Sequence, residues 1–306
     1  MNSKQLRRVN RCGRFASWSV LVLTLCVAHP VAADDSLLRW KFAEGQKLRL
    51  QITQSLSSET TVSNKPVKMN VDLMLEMGWL VDALDADGNA NITQTFRRVT
   101  TKLVVPMGGT IEFDSAAAKK PVGEAKEIAA LVMPLIGNKL TTTITPRGEV
   151  RDIQLTEETE KALATAVGGK SQPLFSKEQL GQLLRQSAVL LPEKPVGVGD
   201  KWEQPTELDS PLGKLRQVTQ YVYAADETLG ERRVVKLAVS GQLELTGAKG
   251  LTIKDQQLAG TCLFDNAAGR ILESSLTQKI QTQSKLRDTT IDATIASTLQ
   301  LKISAD

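Results

Sequence analysis

Histidine and cysteine are nearly absent from this 306-residue chain: His29 is the one histidine, and Cys12, Cys26 and Cys262 are the three cysteines. Beyond residue 33 no histidine remains, and Cys262 stands alone. That excludes a Ser-His-Asp triad, an imidazole base and a histidine-ligated metal from the rest of the chain. A single cysteine cannot close an intrachain disulfide, so residues 34–306 depend on a packed core, which a chain of that length can build. Aromatic residues make up 4% of the chain; Trp40, Trp79 and Trp202, two Tyr and five Phe lie beyond residue 33. They are too few and too scattered for a platform on which bases or sugars stack. No second long apolar run follows the first, so residues 34–306 are expected to be soluble and not membrane-spanning.

The first 33 residues distort every whole-chain number. Lys4, Arg7, Arg8, Arg11 and Arg14 precede the apolar run FASWSVLVLTLCVA, Phe15 to Ala28. Val31 and Ala33 are small residues at −3 and −1 of a cleavage point before Asp34. A basic segment, an apolar segment and an A-x-A-like site predict a secretory signal peptide over residues 1–33, export by the Sec route, and a periplasmic or extracellular location. Leu25 before Cys26 is the wrong neighbour for a lipidation site. Without the five basic residues of this segment, the 38 Lys+Arg fall to 33 against 34 Asp+Glu. The formal net charge of +4 thus becomes about −1, and nothing remains to attract nucleic acid.

What is abundant is alternation. Leu48, Leu50 and Ile52 share one register in LRLQITQSL, and Val67, Met69, Val71, Leu73, Leu75, Met77 and Trp79 share one in VKMNVDLMLEMGWLV. NITQTFRRVTTKLVV, Asn91 to Val105, repeats the pattern less strictly. Period two over such lengths predicts long antiparallel strands with one buried face. Ile128, Leu131, Val132, Leu135 and Ile136 then fall at helical spacing, cut short by Pro134. NKLTTTITPRGEVRDIQL predicts a hairpin around Thr145-Pro146-Arg147-Gly148. Thr156 is placed to cap a second helix with Glu157 and Glu158 in its first turn, ended by Gly168-Gly169. A third helix is predicted from a capping box, Ser176 with Gln179, a staple of Phe175 with Leu180, and an apolar stripe of Leu180, Leu183, Leu184 and Leu191. From Gly213 onward five further strands follow, with a turn at DNAAGR, Asp265 to Arg270. The expected fold is α+β: a long curved antiparallel sheet of about eight to ten strands, with two or three amphipathic helices on one face and a LolA-like half-barrel as one form of it. Residues 34–306 are expected to be a single domain, with a subdivision near 190–200 as the alternative.

Candidate chemistry is thin. In LPEKPVGVGDKWEQP, Gly197, Gly199 and Asp200 lie between a helix and a strand, the reverse of a phosphate loop, so the segment predicts a rigid turn that delivers Trp202 to the core. Asp85-x-Asp87-x-Asn89 starts like a calcium loop but has Ala90 at the sixth position and Phe96 at the twelfth, so a hairpin turn is expected. Cys262, inside the strand TCLF, is expected to be a small core hydrophobe. Asp72, Glu76 and Asp82 stand on a strand's polar face, where solvated charge is the ordinary explanation. No catalytic residue, metal ligand or cofactor-binding residue can be named, and no cofactor is expected.

WKFAEG (Trp40–Gly45), TPRGEV, and PEKPVGVGDKW followed by a strand meander together resemble an uncharacterised family of secreted proteins of planctomycete-type bacteria, a domain of unknown function. The resemblance covers most of residues 38–304 and implies no catalytic residues. Long strands with interposed amphipathic helices are also similar, at fold level, to periplasmic lipoprotein carriers of the LolA–LolB kind, which implies an apolar cavity. The leading expectation is a non-enzymatic extracytoplasmic protein that binds an apolar or amphipathic ligand, a lipid or a lipidated protein, through its one-sided apolar strands. The alternatives are a structural or protein-interaction module of the cell envelope with an envelope protein as partner, and, behind it, a carboxylate-dependent hydrolase.

Overall fold

The computed structural model describes residues 35–306 except 63–64, 107–108, 167–180, 182–183, 185–187, 211–212, 248–249 and 287–288. The leader over residues 1–33, the Gly168-Gly169 stop and the capping box of Ser176 and Gln179, with Phe175, Leu180 and Leu183, lie outside the described residues. Alternation has become strand throughout: β1 Lys47–Val62, β2 Lys65–Leu84, β3 Ala90–Val105, β4 Gly109–Asp114, β5 Lys139–Ile144, β6 Val150–Leu155, β7 Lys201–Ser210, β8 Gly213–Leu229, β9 Arg232–Thr246, β10 Leu251–Asp265, β11 Arg270–Leu286 and β12 Thr289–Ala305. Helix α1 spans Ala125–Val132 and α2 spans Glu157–Ala166, with a 3-10 turn at Met133–Leu135.

All twelve strands join one antiparallel sheet in the order β6-β5-β3-β2-β1-β12-β11-β10-β9-β8-β7, with β4 beside β5 on the same flank of β3. Two meanders, β1 to β6 and β7 to β12, meet where β1 pairs β12, from Leu48 opposite Ala305 to Thr61 opposite Asp292. The sheet is open, with β6 and β7 at its ends. Pro205 in β7 suits an edge strand, which needs no outward N–H at that position.

This overturns the expected α+β fold of eight to ten strands with two or three helices packed on one face. Two strands escape the alternation rule. β4 offers only GTIEFD, which opens on the second of two glycines, and β7 carries Pro205 soon after the Gly-rich turn, so both resemble loops in sequence. Among the described residues the helices α1 and α2 are too short to make a layer: Pro134 tightens α1 into a 3-10 turn after 8 residues, and α2 has 10. Thr156 does cap α2, its hydroxyl accepting from Thr159 N at 3.3 Å.

The main core lies on one face of the sheet, toward the end marked by the β2–β3, β8–β9 and β10–β11 turns. Leu48, Met77, Ile92, Leu140, Leu237 and Phe264 are fully buried there. A smaller cluster joins Val99 and Phe113 to Ala129 and Val132 of α1.

Candidate ligand-binding face

Cross-strand register defines what each face presents. One row crosses ten strands directly: Phe113, Thr101, Leu73, Gln54, Leu299, Leu276, Gly260, Val239, Tyr221 and Trp202. Below this row the inner face is covered. Leu38, Trp40 and Phe42 come from the N-terminal segment, and Val189, Leu191 and Val196 from the stretch before β7. Trp40 stacks on Phe42 at 5.4 Å and meets Phe264 edge-on at 6.5 Å.

The turns flagged in the sequence hold this cover down. Trp40 N donates to Pro146 O at 2.8 Å, Leu191 N to Arg147 O at 2.8 Å and Lys41 N to Gly269 O at 2.9 Å. The Arg147 guanidinium reaches Leu191 O at 3.0 Å, and Arg39 reaches Pro192 O at 2.6 Å. LPEKPVGVGDKWEQP is a turn leading into β7: Gly197 N donates to Asp200 Oδ2 at 2.9 Å, Gly199 takes φ +99°, and Ser36 bridges Val196. Trp202 is half-buried, stacks on Tyr221 at 5.5 Å and donates to Leu190 O at 2.7 Å.

Above the row the same face stays apolar while the cover stops. Leu56, Val71 and Leu103 continue it on β1, β2 and β3, and Ile280, Ile291 and Leu243 on β11, β12 and β9; all six are only partly buried. Val67 is 42% exposed and Ile295 36%. The opposite face at this level carries Ser55, Ser57, Asn70, Thr277, Gln281 and Thr298, as the alternation requires. Val67 and Ile295, the most exposed of these apolar positions, thus share the inner side, while Met74, Val104 and Val218 are partly buried on the other.

A cleft of about 870 Å³ opens at the β4 flank of the sheet, lined by residues of both faces. Leu73, Ile111 and Phe113 line it together with Met74, Pro121 and Val122. Two of its charged lining residues, Lys102 and Glu112, pair across β3 and β4 at 3.0 Å, and a third, Asp114, pairs with Arg98 at 2.6 Å; Asp72, Lys119, Lys120 and Glu124 line it too. The Arg98 hydrogen bonds hold the Asp114 carboxyl below its ordinary value, and Glu112 raises the Lys102 ammonium. Two smaller cavities of about 40 and 60 Å³ lie beneath the cover, well below the several hundred Å³ of an ordinary small-molecule site.

The candidate chemical residues do not converge. Asp72 is exposed beside the cleft, Glu76 pairs with Arg49 at 3.6 Å, and Asp82 accepts from Thr93 Oγ1 at 2.7 Å. Asp85 Oδ1 accepts from Asp87 N and Asn89 N, both at 2.9 Å, closing the β2–β3 hairpin as expected. Cys262 is fully buried between Leu237 and Ser274, and burial pushes its thiol up to about 12. Tyr221, whose hydroxyl donates to Gln204 Oε1 at 3.1 Å, is pushed up by burial as well. Among the described residues no cluster of three His, Cys, Asp or Glu is placed to hold a metal ion, and no helix is long and apolar enough to cross a membrane. The open face itself was signalled by the register of β2; where its cover would stop was not.

The chain belongs to a family described as a family of unknown function, DUF6263, whose model matches residues 87–261. That span takes in β3 to most of β10 and leaves out β1, β2, β11 and β12. No curated protein matches the chain. Among solved structures it is similar to lipovitellin, in a structure titled for its lipid–protein interactions, at 13% identity and a TM-score of 0.46. The similarity covers 86% of this chain and 26% of that one, so this chain spans about a quarter of lipovitellin's length.

Proposed function

We propose that this DUF6263 protein is a non-enzymatic, extracytoplasmic binder of an apolar or amphipathic ligand, a lipid or a lipidated protein, held on the upper inner face of the sheet and in the cleft beside it. One observation carries this: the apolar face outruns its cover. A strand face that is apolar in sequence but half-exposed in the fold loses stabilisation at about 25 cal/mol for each Å² left in water. Contiguous exposed apolar surface is the ordinary mark of an interaction site. The basic-then-apolar leader of residues 1–33 supports export.

Every carboxylate with a shifted pKa among the described residues is shifted downward, the direction opposite to that needed by a general acid. This supports binding over hydrolysis. An envelope module pairing through a sheet edge is less favoured, because β7 places Pro205 among Lys201, Glu203 and Glu207 on the edge.

The test is native mass spectrometry, followed by lipid extraction, on the protein purified from the periplasm of a bacterial host. A stoichiometric adduct that extracts as lipid supports the proposal and names the ligand class. A clean apo mass that does not move on adding phospholipid or fatty acid overturns it.

A further inference from the structure

The most telling polar feature of the interior lies under the cover, away from the open face. Trp40 and Trp79 are 7% and 8% exposed, and Gln94 is 1% exposed. Trp40 Nε1, Trp79 Nε1 and Gln94 Oε1 are all buried without a hydrogen-bond partner. Leaving such a group unpaired costs its desolvation with nothing returned, so three together demand an explanation.

The three residues are neighbours. Trp79 and Gln94 are direct partners in the β2–β3 register, and the Trp40 and Trp79 rings lie 6.4 Å apart. All three line the same cavity of about 40 Å³. The rest of its wall is apolar, with Leu50, Ile144, Leu184, Ile271 and Ile303 among it. Gln94 has already spent a donor on Thr142 Oγ1 at 2.8 Å, which leaves its carbonyl as the acceptor. The Val189 carbonyl oxygen and Trp40 Nε1 both approach Gly148: a Cβ built there would lie 2.6 Å from the first and 2.8 Å from the second.

Two N–H donors and two carbonyl acceptors around one small space match a single chemical species. A water accepts two hydrogen bonds and donates two. It needs only about 10–15 Å³ of such space and two to four partners. An anion finds no cation in this lining and two acceptors facing it, and a hydrocarbon leaves all the polar atoms unpaired. We infer that Trp40, Trp79, Gln94 and the Val189 carbonyl form a binding site for one structural water, which ties the N-terminal cover and the pre-β7 stretch to β2 and β3. The water thereby adds a side-chain link to the sheet beside the backbone hydrogen bonds of Trp40 to Pro146 and Lys41 to Gly269.

A crystal structure of the purified protein at a resolution that places waters is the direct test. An isolated oxygen about 3 Å from both indole nitrogens and from Gln94 Oε1 is expected. An empty cavity, or density that continues from that oxygen into a carbon chain, overturns the inference. In solution, the indole N–H protons of Trp40 and Trp79 should show cross-relaxation to a long-lived water. Trp202, whose indole donates to Leu190 O, serves as the internal control and should show none. Replacing Gln94→Leu together with Thr142→Val removes the acceptor and its partner at similar shape. Loss of the water signal at both indoles is expected, and its persistence at full intensity counts against the assigned acceptor. If that double variant fails to fold, the wild-type crystal and cross-relaxation outcomes still decide.

Discussion

Gly148 has no room for a side chain. Its φ is +87°, and an added Cβ would press on both the Val189 carbonyl and Trp40 Nε1. The TPRG turn therefore needs glycine twice, for its backbone and for the cover that lands on it. Gly148→Ala is expected to lower unfolding free energy by about 1–3 kcal/mol in urea titration; an unchanged midpoint contradicts this packing. Asp306 presents a different case. Arg97 and Arg49 bond its carboxylate, Arg97 Nη1 to Oδ1 at 2.6 Å, and hold it down to about 2. Its folded value lies below the roughly 3.9 of an unfolded Asp, so the clip stabilises above about pH 4 and fades as pH falls through about 2. Asp306→Asn should flatten the stability-against-pH curve in that window. Parallel curves for variant and wild type would show that the clip adds nothing.

Among the elements, the β9–β10 hairpin is the weak seam. The two strands pair from Val235 opposite Phe264 to Ser240 opposite Ala259, and no backbone pairing between them is found beyond that. The side chain of Gln256 takes over, accepting from Leu243 N at 2.7 Å and donating to Leu243 O at 2.8 Å. One carboxamide thus stands in for a ladder step where the two backbones do not pair. Gln256→Leu should cost about 1–3 kcal/mol for two lost hydrogen bonds. It should also speed amide exchange at Leu243 ahead of Ser240 and Val239. Equal exchange along β9 would show that the seam is closed by something else. Sequence made the long strands plain and left these details hidden. β2 could be read because seven apolar positions repeat one period, and β1 and β3 from shorter repeats of it, whereas β4 has six residues and β7 is broken by Pro205. α1 was legible with its stop, since Pro134 acts through its own ring and needs no tertiary partner.

For the whole molecule, the decisive pairing is β1 with β12, the two strands farthest apart in the chain. It sets the two meanders into one sheet and lays their apolar registers side by side. Charges placed on the uncovered part of that face should leave the fold alone and abolish binding. Val67→Asp and Ile295→Lys sit at positions already exposed. Each is expected to move stability by no more than about 0.5 kcal/mol. Together they should remove the lipid adduct seen by native mass spectrometry. Retention of the adduct at full stoichiometry would move the ligand off this face.

The residues themselves settled the alternation, the turns, the cap of α2 and the absence of histidine beyond residue 33, because each is a property of a few neighbours in the chain. They also settled which side of each strand is apolar, and hence that a one-sided sheet would form. How many strands pair, that α1 and α2 remain too short to form a layer, and where the cover ends are properties of distant contacts. Trp40 meeting Trp79, Arg147 meeting Leu191 and Leu50 facing Ile303 have no local signature. The extent of apolar surface left uncovered, on which the proposed function rests, is the difference between a face fixed by sequence and a cover fixed only by tertiary packing.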